Sequence, residues 1–110
     1  MDSPLAVASL AALAQPTRLA VFRLLVRHQG DGVAAGELAR RLDVPQNTLS
    51  THLAILARAG LVRAERHGRS IIYHADLDGL RALMLFLVND CCAGAPELCA
   101  PLLADLAPAC

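Results

Sequence analysis

The sequence has no tryptophan and no lysine, and its aromatic residues are limited to Phe22, Tyr73 and Phe86. A core must therefore be built from Leu, Val, Ile and Ala, a composition that favours helices. Apolar residues fill 55% of the 110 positions, yet Arg or Asp interrupts every apolar run short of a membrane span. The N-terminus lacks the basic start and the cleavage site of a signal peptide. A cytoplasmic chain with no membrane partner is expected. Internal repeats and low-complexity linkers are also missing, and the length suits one small domain rather than a two-lobed enzyme. Cysteine does not occur before position 91.

All ten cations are Arg, whose guanidinium pairs phosphate oxygens in a fixed fork. A formal net charge of zero hides an asymmetry: residues 18–69 hold nine Arg against four acids, and residues 70–110 hold one Arg against five. A basic segment inside a neutral protein still makes an electrostatic footprint for a polyanion.

Within that segment, Glu37 to Gly60 (ELARRLDVPQNTLSTHLAILARAG) reads as two short amphipathic helices joined by a tight polar turn. In the second, Leu49, Leu53 and Leu56 recur at i, i+4 and i+7 and share one face of a 3.6-residue helix. Gln46, Asn47, Ser50, Thr51 and Arg58 occupy the other face, and Thr48 and His52 complete the expected DNA contacts on this helix. Short amide and hydroxyl side chains can approach base edges and phosphates closely. The N-terminal part of such a helix enters the major groove in a helix-turn-helix. Ordinary surface helices also have polar outer faces, so the neighbouring segments decide between the two.

Residues 4–14 (PLAVASLAALA) predict an Ala-rich helix with too little polar surface for a monomer. Pro16 opens a second helix, about 16–28, with Leu19, Phe22, Leu25 and Val26 on one face and Val21 and Leu24 beside them, an arc wide enough for a central, mostly buried helix. Gly30-Asp31-Gly32 closes it. Residues 35–42 form the first helix of the pair, and Gly60 is placed to stop the second as a left-handed C′ residue.

From residue 61 to 75 the period changes. LVRAER and RSIIYHA are β-prone and flank His67-Gly68, the expected two-residue loop of a hairpin. Arg63, Arg66, His67 and Arg69 crowd its tip. A basic hairpin directly after a recognition helix has the place of the wing in a winged helix, beside the major-groove contact. Residues 77–89 predict a last helix capped by Asp76 or Asp78. Leu80, Leu83, Met84, Leu87 and Val88 make one stripe, and Leu85 and Phe86 a second face. This helix and the first are expected to form a homodimer interface. The fold class expected is mainly α with a small β-hairpin (α+β), a homodimeric winged helix-turn-helix. Residues 1–89 would serve DNA binding and dimerisation, and residues 90–110 would form a cysteine-bearing inducer-binding tail.

QPTRLAVFRLLV, GELARRLDVPQNTLSTHLAILARAGLV and RHGRSIIYH together resemble the ArsR/SmtB family of metal- and metalloid-responsive bacterial repressors, over roughly residues 10–88. LSTHLAILARAGLV is the most specific string. The resemblance implies a winged-helix homodimer that binds an inverted-repeat operator in double-stranded DNA and leaves it when an inducer binds. His52 matches a His usual in the family's recognition helix; a structural or phosphate-contacting role is expected for it, unrelated to metal. Two known metal sites of the family do not match. ELARRLD has no cysteine for the Cys-x-Cys pair of arsenic sensors, and no His or acid lies between Arg81 and Asn89 to supply the zinc ligands of other members.

Cys91, Cys92, Cys99 and Cys110 remain. In a reducing cytoplasm they are expected as thiols. Adjacent helical residues point about 100° apart, so Cys91 and Cys92 cannot both be inert packing in one core. Gly94 and Pro96 allow a bend that converges thiolates. Three thiolates with no His among them suit thiophilic ions. CCAGAPELC is similar to the C-terminal Cys-Cys…Cys site of arsenite-responsive members of the family. The resemblance implies As(III) as inducer on Cys91, Cys92 and Cys99, with Sb(III) or methylated As(III) as variants and Cys110 as bystander or spare ligand. The expected function is a non-enzymatic repressor of an arsenic-resistance operon. A redox- or persulfide-responsive repressor of the same fold stays open. So does a small thiol enzyme or metalloid carrier, against which stand the missing Cys-x-x-Cys motif and phosphate loop.

Overall fold

Each of the first two helices begins where a polar side chain can cap it. In the computed structural model, which describes residues 1–91, 100, 101, 104 and 105, α1 (Ser3–Leu13) is capped by Asp2, whose carboxylate accepts from the Leu5 amide at 3.0 Å. Helix α2 (Pro16–Arg27) is capped by the Gln15 side chain, which accepts from the Arg18 amide at 2.8 Å. There follow β1 (Val33–Ala34), α3 (Ala35–Leu42), α4 (Gln46–Arg58), β2 (Val62–His67), β3 (Ser70–Ala75) and α5 (Leu77–Cys91). The strands form one antiparallel sheet in the order β1-β3-β2. The fold is thus the expected mainly helical winged helix-turn-helix with a hairpin, plus a short strand that the sequence did not announce. Two residues cannot display a period-2 pattern; β1 exists because the edge of β3 offers backbone partners, Tyr73 to Val33 and Ile72 to Ala34.

The hairpin loop is displaced by one residue from the expected His67-Gly68. His67 pairs with Ser70, so the loop is Gly68-Arg69, with Gly68 at φ +62° in its first position. This register lets the His67 ring reach Glu65 along the same strand face, at 3.2 Å, and it puts Arg66 on the opposite face.

Leu25, Leu38, Leu49, Leu53, Leu56 and Leu61 are fully buried and make the core with Val21. The inner face of α2 centres on Val21, Phe22 and Leu25. Leu19, expected inside, is 43% exposed, and Val26 is exposed as well, because α1, α3 and α4 pack against the Val21–Leu25 side. On α5 the predicted stripe splits. Leu83 is buried and Leu80 packs on the core, but Met84 and Leu87 are exposed together with Leu77 and with Leu85, at 49%. Helix α5 packs against α1, which exposes Leu5, Val7 and Leu10. The two helices together present a larger bare apolar surface than the sequence indicated. Helix α5 also runs to Cys91 rather than ending at Asn89, since no breaker precedes Gly94; Cys91 therefore belongs to the helix and not to a segment beyond it.

The end of α4 joins these parts. Gly60, at φ +78°, donates to the Ala57 carbonyl at 3.0 Å, and Leu61 donates to the Leu56 carbonyl at 3.0 Å. This is the Schellman arrangement, closed by the two buried leucines. Asp76, rather than Asp78, caps α5: its carboxylate accepts from Gly79 at 3.1 Å while its own amide donates to the Leu61 carbonyl at 2.8 Å. A Cβ at Gly79 would collide with the Gly60 carbonyl oxygen, whereas one at Gly36 in α3 would meet nothing within 4 Å. Gly79→Ala should therefore cost about 1–3 kcal/mol. Gly36→Ala should add about 0.5–1 kcal/mol. Urea denaturation at fixed protein concentration measures both, and equal signs would contradict this packing.

Candidate nucleic-acid interface

Helix α4 turns one face outward because the other is filled. Leu49, Leu53 and Leu56 are at most 1% exposed, which leaves Gln46, Asn47, Thr48, Ser50, Thr51 and Arg58 in solvent and His52 half-buried. The turn before it is set by Asp43, in the left-handed conformation at φ 54°, and by the Val44 amide donating to the Ala39 carbonyl at 3.0 Å. The outer face is already organised. Ser50 Oγ donates to the Gln46 carbonyl at 3.0 Å, Thr51 Oγ1 to the Asn47 carbonyl at 3.4 Å, and Asn47 Oδ1 accepts from the Thr48 amide at 2.9 Å. The Gln46 amide and the Asn47 NH2 group are left with hydrogen bonds to give.

The wing stands directly after this helix, and its two faces differ. On one, Glu65 lies 3.6 Å from Arg63, 3.2 Å from His67 and 3.3 Å from Nε2 of His74. His74 is 7% exposed, and its Nδ1 is buried without a partner among the described residues. Arg66 points to the other side and Arg69 sits in the loop; among the described residues neither is paired with an acid.

A helix-turn-helix domain family matches residues 13–65. The transcriptional activator HlyU of Vibrio cholerae serotype O1 is 33% identical over 86 residues, 78% of this chain and 77% of HlyU. Its reduced form, as a solved structure, has a TM-score of 0.63 at 32% identity, over 79% of this chain and 87% of that one. An ArsR-like transcriptional regulator from Rhodococcus sp. RHA1 has a TM-score of 0.73 at 30% identity, over 88% of this chain and 89% of that one. This chain belongs to the ArsR/SmtB family. The homodimeric winged helix-turn-helix DNA-binding domain of Mb0332 from Mycobacterium bovis also shares its fold, with a TM-score of 0.64 at 27% identity and 82% of each chain covered.

As an ArsR/SmtB regulator the chain has fewer available cations than its composition implies. Arg40 and Arg41 are both hydrogen-bonded by Glu37. The Glu37 carboxyl is held below its ordinary range, by Arg40 first and then by Arg41. Arg41 also lies 3.0 Å from Nε2 of His28. Arg18 is turned inward, and Arg63 has Glu65 beside it. Arg58, Arg66 and Arg69 remain exposed around α4 and the wing, without an acid among the described residues. Arg63 and His67, expected to add to this charge, lie against Glu65, which His74 also meets; the alternation of Arg63, Glu65 and His67 on one strand face is the signal for it. Among the described residues, no three His, Cys, Asp or Glu side chains converge as a metal site, and no single helix is long and apolar enough to cross a membrane. Cys92, Cys99 and Cys110 lie outside the described residues, and Cys91 is described as the last residue of α5.

Arg66→Ala and Arg69→Ala should each reduce the slope of log affinity for duplex DNA against log salt by about 1. Glu65→Gln should instead strengthen binding to unrelated duplexes, because it unmasks Arg63. Fluorescence anisotropy over a salt series reads all three, and an unchanged slope in both Arg variants would remove the wing from the interface.

Proposed function

We propose that this regulator is a cytoplasmic repressor that binds operator DNA as a homodimer and is released when As(III), or the related Sb(III), binds cysteine thiolates at and after the end of α5. The observation that carries this reading is the placement of α5: its first turn abuts the end of the recognition helix at Gly60, its flank is bare and apolar, and its last residue is the first of the cysteines. The donor set fits the ligand chemically. Arsenite exchanges three As–O bonds for three As–S bonds with Cys91, Cys92 and Cys99, and the three thiol protons leave with the oxygens as water. A soft, sulfur-only set of this kind favours thiophilic ions over zinc sites built from His and carboxylates.

Closing such a site would act on α5 and through it on the spacing of the two recognition helices, which has to match two half-sites about one helical turn apart. Coupling between effector and DNA sites is typically about 1–3 kcal/mol, and DNA must weaken arsenite binding by the same factor. The homodimeric state of Mb0332 supports the dimer. A second reading, a thiol redox switch on the same fold, draws support from HlyU, which is known in a reduced form.

Arsenite should release wild-type protein from a duplex that the protein itself has selected from a randomised pool. Cys91→Ser and Cys92→Ser should bind that duplex normally and resist release; Cys99→Ser should resist inorganic arsenite but still respond to a methylated arsenical, and Cys110→Ser should behave as wild type. Release of the Cys91→Ser protein at the wild-type arsenite concentration would refute the site, and release by peroxide but not arsenite would favour the redox reading. For the dimer, Leu85→Glu should give a monomer or an aggregate in sedimentation and lose tight duplex binding. A folded monomer that still binds tightly would overturn the dimer reading.

A further inference from the structure

Arg18 is not turned outward with the other arginines near α4. It lies in the first turn of α2, and its guanidinium turns inward. Nε donates to the Ala12 carbonyl in α1 at 2.7 Å, and a terminal nitrogen lies 3.3 Å from Nδ1 of His52 in the middle of α4. One planar group therefore touches α1 and α4 from its place in α2. The chemistry assigns the direction of the second bond. A guanidinium has donors and no acceptor, so Nδ1 of His52 accepts and the ring proton sits on Nε2.

We propose that Arg18 is a positioning residue for the recognition helix, fixing His52 as the Nε2–H tautomer and so setting the rotation of α4 about its own axis. The inference rests on the reading of α4 as the DNA-contacting helix and names the residue that aims it. The other attachments of α4 lie at its far end, where Ser9 Oγ donates to the Ala59 carbonyl at 3.2 Å and Gly79 abuts Gly60. Gln46, Asn47, Ser50 and Thr51 all lie on the opposite side of His52 from that end. Among the described residues, the bond to Arg18 is the one hydrogen bond that a side chain of α4 makes to another element. Without it, packing of the leucine stripe alone would set the rotation of the reading half, and leucines slide more easily than hydrogen bonds stretch.

Arg18 could instead be a phosphate contact, and charge counting separates the two roles. Against a duplex selected from a randomised pool by the wild-type protein, Arg18→Lys keeps the charge but cannot place two donors in one plane. Its affinity should fall about tenfold or more, with the salt slope unchanged. His52→Asn places an amide oxygen near the position of Nδ1 and should retain most of the affinity. His52→Gln, the better helix former, should lose it. Nitrogen NMR of the imidazole in mildly alkaline buffer should show the Nε2–H tautomer in the wild type and a tautomer mixture in Arg18→Lys. Wild-type affinity in Arg18→Lys, together with a slope lowered by about 1 in Arg18→Gln, would mark a phosphate contact and overturn the proposal. A tautomer mixture in the wild type would overturn it as well. The histidine pair carries the test if the Arg18 variants do not fold. If the wild type selects no duplex, the DNA-contacting reading of α4 fails, while the tautomer measurement still decides the Arg18–His52 contact.

Discussion

A helix that stops leaves carbonyl groups with no amide to answer them, and the whole arrangement of this domain turns on how the end of α4 meets that requirement. The Leu56 and Ala57 carbonyls are answered by Leu61 and Gly60, the Ala59 carbonyl by Ser9 of α1, and the Leu61 carbonyl by Asp76 at the start of α5. The Gly60 oxygen is covered by the Cβ-less face of Gly79. The sheet, the first helix and the last helix thus converge on a single turn of backbone. An unanswered buried acceptor costs about 1–3 kcal/mol, so α1 or α5 cannot move far while α4 stays in place. The two helices with bare apolar flanks are both fastened to the end of α4. Whatever covers those flanks has a short mechanical route to the polar outer face of α4.

The electrostatics follow a similar economy of position. The chain is neutral overall, and two of its acids stand beside arginines: Glu37 between Arg40 and Arg41, and Glu65 beside Arg63 and the two wing histidines. Apart from the buried His74 ring, these pairs are largely exposed and add little to stability. Their effect is on the field, which they shape by quieting α3 and one face of the wing while Arg58, Arg66 and Arg69 stay uncompensated among the described residues. Arg23, Arg27 and Arg81 are exposed elsewhere on the chain, so the open charge of the wing and α4 is one part of the field.

The helices could be read from the sequence because their boundaries are marked by residues with a local reason to be there: Pro16, Gly60 and the Asp76 cap. The buried stripe of α4 followed from the 3.6-residue period without help from the rest of the chain. Features set by distant partners were not legible. Strand β1 is a response to the free edge of β3, the burial of α2 depends on which side its neighbours approach, and the hairpin loop was displaced because His67 is as comfortable in a strand as in a turn. The contact between Arg18 and His52 spans 34 positions, and nothing in the local pattern distinguishes Arg18 from a surface arginine. For the interface, the polar face of α4 was legible residue by residue, while the division of the wing into a masked and an open face required the strand register.

The hydroxyl groups on α4 would bear on which bases the helix proposed to contact DNA can read. Ser50 and Thr51 direct their protons back to the carbonyls of Gln46 and Asn47, so what they turn outward is lone pairs. In the major groove the groups that answer a lone pair are the amino groups of adenine N6 and cytosine N4. The O6 and N7 edge of guanine offers acceptors alone, and either hydroxyl would have to break its helical bond and rotate to meet it. A helix face that looks chemically indifferent in composition would therefore, if set in a major groove, favour amino-bearing bases.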